Sequence, residues 1–302
     1  MNNNALAYGI AYIDNEVAIG GARTITTKLE YKSGNCALNI RGIEMIDADG
    51  NIVAGDYHVG KAGSPSNNNT YTVKVAEAGT YTLRCYATFD GQNRANDTNG
   101  TITVEFDGAQ ASDFVHDVTF VAEYATLHLG HKVAVPEGVE AYAVTEIVDN
   151  LAILTEVEGV IPAATSVILK NTGSKQNYTF AHTTREATQV ETNLLKGSIA
   201  NRYVTGEAYV LGIPEGETEA ALCKAVLTDG CFLNNAQKAY MPVAKSANNA
   251  THYSFSFGGT TGIENVKGED ANVKDVYDLT GRKVETPAKG IYIINGKKIL
   301  VK

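Results

Sequence analysis

Thr70-Tyr71-Thr72-Val73-Lys74-Val75-Ala76-Glu77-Ala78-Gly79-Thr80-Tyr81-Thr82-Leu83-Arg84-Cys85 holds two alternating runs with a break between them. Side chains of an extended strand point to alternate sides, so Tyr71, Val73 and Val75 share one face. Tyr81, Leu83 and Cys85 share a face in the second run, with Ala87 continuing it. Working outward, Ala5 to Ala11, Thr24 to Tyr31 and Ala37 to Ile46 alternate or run apolar, and Asp47-Ala48-Asp49-Gly50-Asn51 turns into Ile52-Val53. Polar loops at 61–69 and 90–100 separate these runs from each other and from Thr101 to Phe106. No helical period is sustained over ten residues.

Short strands at this spacing predict an all-β chain whose first unit, residues 1–110, is an immunoglobulin-like β-sandwich. Glu77-Ala78-Gly79-Thr80-Tyr81 has the form of a tyrosine corner, in which the hydroxyl bonds back to upstream backbone. In antibody domains a cysteine follows that Tyr by two residues, whereas Cys85 follows by four. Cys36, on a face with Leu38 and Ile40, is expected to point into the same core as Cys85, bridged or free. Cys223 and Cys231 flank Thr228-Asp229-Gly230; in a hairpin closed by 227 and 231, Cys223 lies opposite residue 235 and cannot bridge Cys231.

Residues 111–257 read as a second β-rich unit, with strand-like runs at 120–122, 126–129, 139–144, 151–154, 166–169, 178–180, 208–211 and 221–226. Gly-Gly-Thr-Thr-Gly followed by charge makes 258–273 a linker. In 274–302, Val276, Leu279 and Val284 flank a Thr280-Gly281 turn. Ile291, Ile293, Ile299 and Val301 alternate around Asn295-Gly296, a strong two-residue hairpin signal. Three or four short strands are expected there, too few for an independent core.

The net charge of −9, with basic residues scattered, disfavours nucleic acid, whose phosphates demand clustered Lys and Arg. No apolar run reaches the roughly 18 residues of a membrane span. Met1-Asn2-Asn3-Asn4 lacks the basic start of a signal peptide.

The C-terminal Asp278-Leu279-Thr280-Gly281-Arg282 turn, the Lys289-Gly290-Ile291-Tyr292 strand start and the Lys297-Lys298-Ile299-Leu300-Val301-Lys302 ending resemble the sorting signal of Bacteroidota proteins exported by type IX secretion. The resemblance implies a secreted or cell-surface location, reached through the outer membrane, with the type IX machinery as partner. Because a signal peptide is missing, the chain is expected to be the C-terminal part of a longer protein or the product of an incomplete gene model. Ile46 to Val53, Asp56-Tyr57-His58 and Ala78 to Arg84 resemble β-sandwich modules appended to secreted Bacteroidota glycan-degrading enzymes, sialidases among them. Val135 to Tyr142, Gly159 to Ala163, Asn193 to Gly197 and Phe232 to Pro242 resemble a second module, commonly placed just before such a signal. That likeness implies no activity.

Chemistry is sparse. Of His58, His116, His128, His131, His182 and His252, the closest pair, His128 and His131, falls on opposite faces of a strand. No nucleophile elbow, cysteine-protease signature or phosphate loop occurs. Asp47, Asp49 and Asn51 match the start of a calcium loop, yet Gly50 is the fourth residue and the twelfth is His58. The segment reads as a hairpin turn, with a calcium site at Asp47 and Asp49, helped by Asp56, as the other reading. With no Trp in the chain, sugar-binding faces would have to come from Tyr. Tyr57 between Asp56 and His58 is the first candidate, followed by Tyr86, Tyr8 and Tyr12; each is also an ordinary sheet Tyr. The expected function is a non-catalytic accessory and export region with no cofactor. The alternatives are a carbohydrate- or glycoprotein-binding module and, last, an enzyme.

Overall fold

A computed structural model describes residues 10–33, 37–57, 70–90, 99–120, 122–243, 250–257, 264–265, 276–277, 284, 290–294 and 297–301. The chain is all-β, and the helical geometry among these residues is one 3-10 turn at Ala111–Phe114.

In the first unit, β1 (Ile10–Ile19), β6 (Gly79–Asp90), β3 (Ala37–Ile46) and β4 (Ile52–Tyr57) form one sheet in that order. The order in the second sheet is β5 (Thr70–Val75), β2 (Arg23–Ser33), β7 (Asn99–Gly108). All pairs within the two sheets are antiparallel. The alternation of the opening sequence is realised: Val73 and Val75 from one sheet meet Tyr81, Leu83 and Cys85 from the other, with Ile25, Ile43 and Met45 completing the core. Each such aliphatic side chain contributes about 1.5–3 kcal/mol on full burial. The tyrosine corner forms, the Tyr81 hydroxyl donating to the Glu77 carbonyl at 3.0 Å. In β3 the register shifts between Ile40, opposite Ala87, and Gly42, opposite Tyr86. A bulge of this kind inserts one residue and changes which positions face inward. Cys85 is buried and free; Cys36, His58 and Tyr8 lie outside the described residues.

β1 starts inside the run expected to end at Ala11 and continues through Asp14-Asn15-Glu16, which are exposed and so leave the strand intact. In the turn after β3, the Asp47 carboxylate accepts the N–H groups of Asp49 (3.0 Å) and Asn51 (2.8 Å) and the Asn51 side-chain amide (3.1 Å). Asp47 therefore serves its own hairpin.

The second unit is built on a nine-stranded sheet. One half runs β16 (Lys196–Ser198), β21 (Lys238–Pro242), β18 (Ala208–Gly212), β19 (Ala221–Lys224), β22 (His252–Phe257). The other continues through β12 (Leu151–Glu156), β11 (Val139–Val148), β14 (Ser166–Asn171) and β9 (Tyr124–His128). β22 and β12 are parallel neighbours. The sheet curls until its ends meet: the His128 N–H donates to the Gln237 carbonyl at 2.9 Å, and the Ala239 N–H donates to Thr126 Oγ1 at 3.2 Å.

One cluster, including Tyr142, Val144, Leu154, Ile168, Tyr209, Leu222 and Tyr253, occupies one face of this sheet. Ala141, Ala143, Val167 and Leu169 lie on the other face, against Val118, Tyr178 and Phe180. These last come from β8 (Val115–Thr119) and β15 (Asn177–Ala181), which pair with each other. Burial on both faces explains why Val167-Ile168-Leu169 is a solid apolar run. Two further pairs are β10 (Val133–Ala134) with β13 (Val160–Ile161), and β17 (Arg202–Thr205) with β20 (Cys231–Asn234).

Several expectations are corrected. The strand expected at 120–122 is β8, ending at Thr119. Cys223 and Cys231 do not belong to one hairpin: β19 pairs with β18 and β22, and β20 with β17. Both cysteines are free, as expected, but through this topology rather than the assumed register.

In the tail, β24 (Val276–Tyr277), β25 (Gly290–Ile294) and β26 (Lys297–Val301) join β23 (Glu264–Asn265) in a separate four-stranded sheet. Ile294 opposite Lys297 is the register that a two-residue connection dictates. β23 falls within the expected linker and pairs in parallel with β26. Asp278, Gly281, Arg282 and Lys302 lie outside the described residues. Among the described residues no helix is long and apolar enough to cross a membrane.

Candidate functional site

Among the described residues the two larger units share no sheet but touch along a polar seam. Lys74 reaches Asp113 at 2.5 Å, while Glu77 in the tyrosine corner faces Lys132 at 3.9 Å and His182 at 3.6 Å. Gly130, in the turn after β9, lies directly against the Val53 carbonyl, where any Cβ would overlap backbone.

Beside this seam is a cleft of about 480 Å³. The first unit contributes Asn51, Ile52 and Tyr57; the second contributes His128, Ser166, Lys196, Ser198, Arg202 and Tyr240, among others. Its shape follows from local sequence. On the outer face of β3 and β4, Gly42 stands opposite Tyr57, and Gly55 opposite Glu44. The missing side chains leave room for the Tyr57 ring: a Cβ at Gly42 would stand 2.6 Å from its Cδ1, and one at Gly55 2.9 Å from its hydroxyl. The ring thus lies across both glycines and its hydroxyl donates to Glu44 Oε1.

Glu44 is 2% exposed, and its second oxygen accepts from the Tyr86 hydroxyl at 2.7 Å. A buried carboxylate demands such partners, because an unpaired one would carry its full desolvation cost. Burial, then the Glu44 charge, pushes the Tyr57 hydroxyl well above its ordinary value, with the Arg202 guanidinium acting the other way. Burial and the bond to Glu44 push Tyr86 up to about 12. Arg202 likewise counters the upward effect of burial on Tyr240.

The second unit supplies the opposite wall through the closure of its sheet. The His128 side chain packs on Gly197, where a Cβ would fall into it, and His128 Nδ1 lies 2.9 Å from Ser166 Oγ. Burial, then the Lys196 charge, pushes His128 down to about 4. A Ser–His contact invites a hydrolase reading, but Ser166 is 2% exposed, and so feeble a base is poorly matched to neutral pH.

Of the Tyr candidates, Tyr57 lines the cleft, whereas Tyr86 is buried beneath it. Asp56 instead accepts the Thr72 N–H at 3.2 Å, tying β4 to β5. Tyr12 is 58% exposed, with the Arg84 guanidinium 4.5 Å from its ring centre. It meets Tyr86 at 61°, so the two do not make a flat platform. Arg84 is bound in turn to Asp14 through two contacts of 2.7 Å.

Sequence reasoning missed Glu44, Arg202, Tyr240 and His128 as members of the site. The available signal was Gly42 and Gly55 inside strands, which marks a close approach. No protein-family model, curated protein or solved structure matches this chain.

Proposed function

We propose that the chain is a non-catalytic accessory and export region of a secreted or cell-surface Bacteroidota protein serving a glycan-processing system. Its C-terminal segment is the address for the type IX secretion machinery. The observation that carries this reading is the tail sheet, β23 to β26, which among the described residues shares no strand with any other sheet and packs Val276 with Val284 and Tyr292. A sorting signal has to be grasped apart from its cargo, and a self-paired unit meets that need. The first unit is an immunoglobulin-like module in the broad sense of a sandwich with a tyrosine corner. Its β1 lies beside β6, unlike the first strand of antibody constant domains. Fused to a periplasmic reporter in a type IX-competent bacterium, residues 274–302 should send it outside the cell. Deleting 290–302 should trap it in the periplasm, and unchanged export after that deletion would sink the proposal.

A second reading, glycan binding, is favoured by the cleft. Its lining offers hydroxyl, amide and cationic groups together with Tyr57 and Tyr240, which suits a polar, hydroxyl-rich ligand. Arg202→Gln, which leaves the Glu44 network intact, should weaken binding to a glycan panel by about tenfold, the loss of one charged hydrogen bond. Absence of binding by the wild type, or equal binding by the variant, removes this reading.

A further inference from the structure

The cleft holds two cations that the protein itself leaves without a counter-charge. Lys196, at the start of β16, and Arg202, at the start of β17, both line it. Among the described residues neither makes an ion pair with a carboxylate. We propose that the cleft binds the carboxylate of an acidic saccharide, held by Arg202 with Lys196 as the second cation. The inference rests on the glycan-binding reading of the cleft and names the class of sugar it takes.

The acidic residues around the cleft do not answer Arg202. Glu44 accepts the Tyr57 hydroxyl with one oxygen and the Tyr86 hydroxyl with the other. Glu191 is the one acidic residue in the lining, and it is exposed. Arg84 shows the contrast: on the outer face of β6 it takes both oxygens of Asp14 at 2.7 Å. In a chain of net charge −9, two cations against one solvated carboxylate make the cleft locally positive. A cleft of one charge sign concentrates the opposite ion. The planar guanidinium fork matches a carboxylate with two parallel hydrogen bonds.

Both cations stand on anchored backbone. Lys196 lies opposite Tyr240 in the β16–β21 ladder, and Arg202 lies opposite Asn234 in the β17–β20 ladder. Between them the Ser198 carbonyl accepts the Gln237 N–H, and Asn201 Oδ1 accepts the Ala236 N–H, each at 2.7 Å. The segment carrying both side chains is therefore tied to the turn between β20 and β21 at two points. Such preorganisation lowers the cost of binding.

The tyrosine hydroxyls divide the remaining work. Tyr57 gives its proton to Glu44, so toward a ligand its oxygen can only accept, as from a sugar hydroxyl. The Tyr240 hydroxyl has no hydrogen-bond partner among the described residues, and burial keeps it protonated. It remains a donor, on the same side of the cleft as the two cations.

The full chain would be titrated by calorimetry with matched pairs: tri-galacturonate against its carboxyl-reduced form, and sialyllactose against lactose. In at least one pair the acid should bind about tenfold tighter or more, the range of a charged hydrogen bond. Added NaCl should narrow that ratio. Arg202→Gln should bring the acid down to the affinity of its neutral counterpart, and Arg202→Lys should recover only part of the loss. Lys196→Gln should cost a few-fold, and Lys175→Gln nothing. If Arg202→Gln fails to fold, the wild-type ratio of acid to neutral sugar decides. Equal binding of acid and neutral forms overturns this inference and leaves the glycan reading standing; no binding of any saccharide removes both. An acid preference that survives Arg202→Gln and Lys196→Gln also overturns it, as does tighter binding of a sulfated neutral sugar than of either acid.

Discussion

Gly130→Ala is expected to undock the two larger units. The substitution strains no dihedral; its added carbon simply lands on the Val53 carbonyl and Cα. Backbone meets backbone there, so no side chain can rotate away. Overpacking in a well-filled core usually costs about 1–3 kcal/mol, and a site with no rotamer escape belongs at the upper end. Each unit keeps its own core cluster, so the strands survive while the seam opens. Glu77 then loses Lys132 and His182, and Lys74 loses Asp113. Small-angle scattering should show a larger radius of gyration, and proteases should cut near 109–114. A scattering curve and melting temperature equal to those of the wild type would show that the seam is not close-packed.

The second large effect is acid destabilisation through His128. Its ordinary value of 6.5 falls to about 4 in the folded chain because burial disfavours the charged ring. The unfolded chain therefore takes up a proton below pH 6.5 that the folded chain refuses until about pH 4. Stability contributed by the neutral buried ring is complete above pH 6.5, falls as pH drops through that window, and is gone below it. At about 1.4 kcal/mol per unit, the loss approaches roughly 3 kcal/mol. His128→Gln lowers stability at neutral pH by disturbing the packing on Gly197, but removes this slope. Denaturant melts of both proteins between pH 7.5 and 4 should converge by about that amount. Parallel curves would mean that the ring is hydrated in the fold.

The first unit was readable because its strands are half-buried, which leaves alternation visible at Val73-Lys74-Val75 and Leu83-Arg84-Cys85. Asp14-Asn15-Glu16 misled only because an outward-facing stretch of strand looks like a loop. In the second unit, strands buried on both faces could be found as apolar runs. Pairs of two to four residues such as β10 with β13, or β17 with β20, carry no period at all. Cys223 and Cys231 were misassigned for a related reason: β20's partner lies before β18, and nothing local announces it. Tyr57 drew attention through its polar neighbours, yet Glu44 in an apolar strand reads as a solvent-facing residue. Its burial depends on two glycines and two tyrosines from different strands. His128 and Arg202 reach the cleft only because the nine-stranded sheet curls, a long-range event.

β22 enters the nine-stranded sheet between β19 and β12, away from either end. Leu151 to Leu154 run parallel to Ser254 to Phe257, and Ala221 to Cys223 run antiparallel to His252 to Ser254 on the other side. A pull on the chain beyond Phe257 along the strand axis therefore loads both ladders in shear. Their hydrogen bonds must fail together, whereas a strand peeled from a sheet edge gives them up one at a time. Tension applied through the C-terminal segment therefore meets its first resistance at the centre of the second unit.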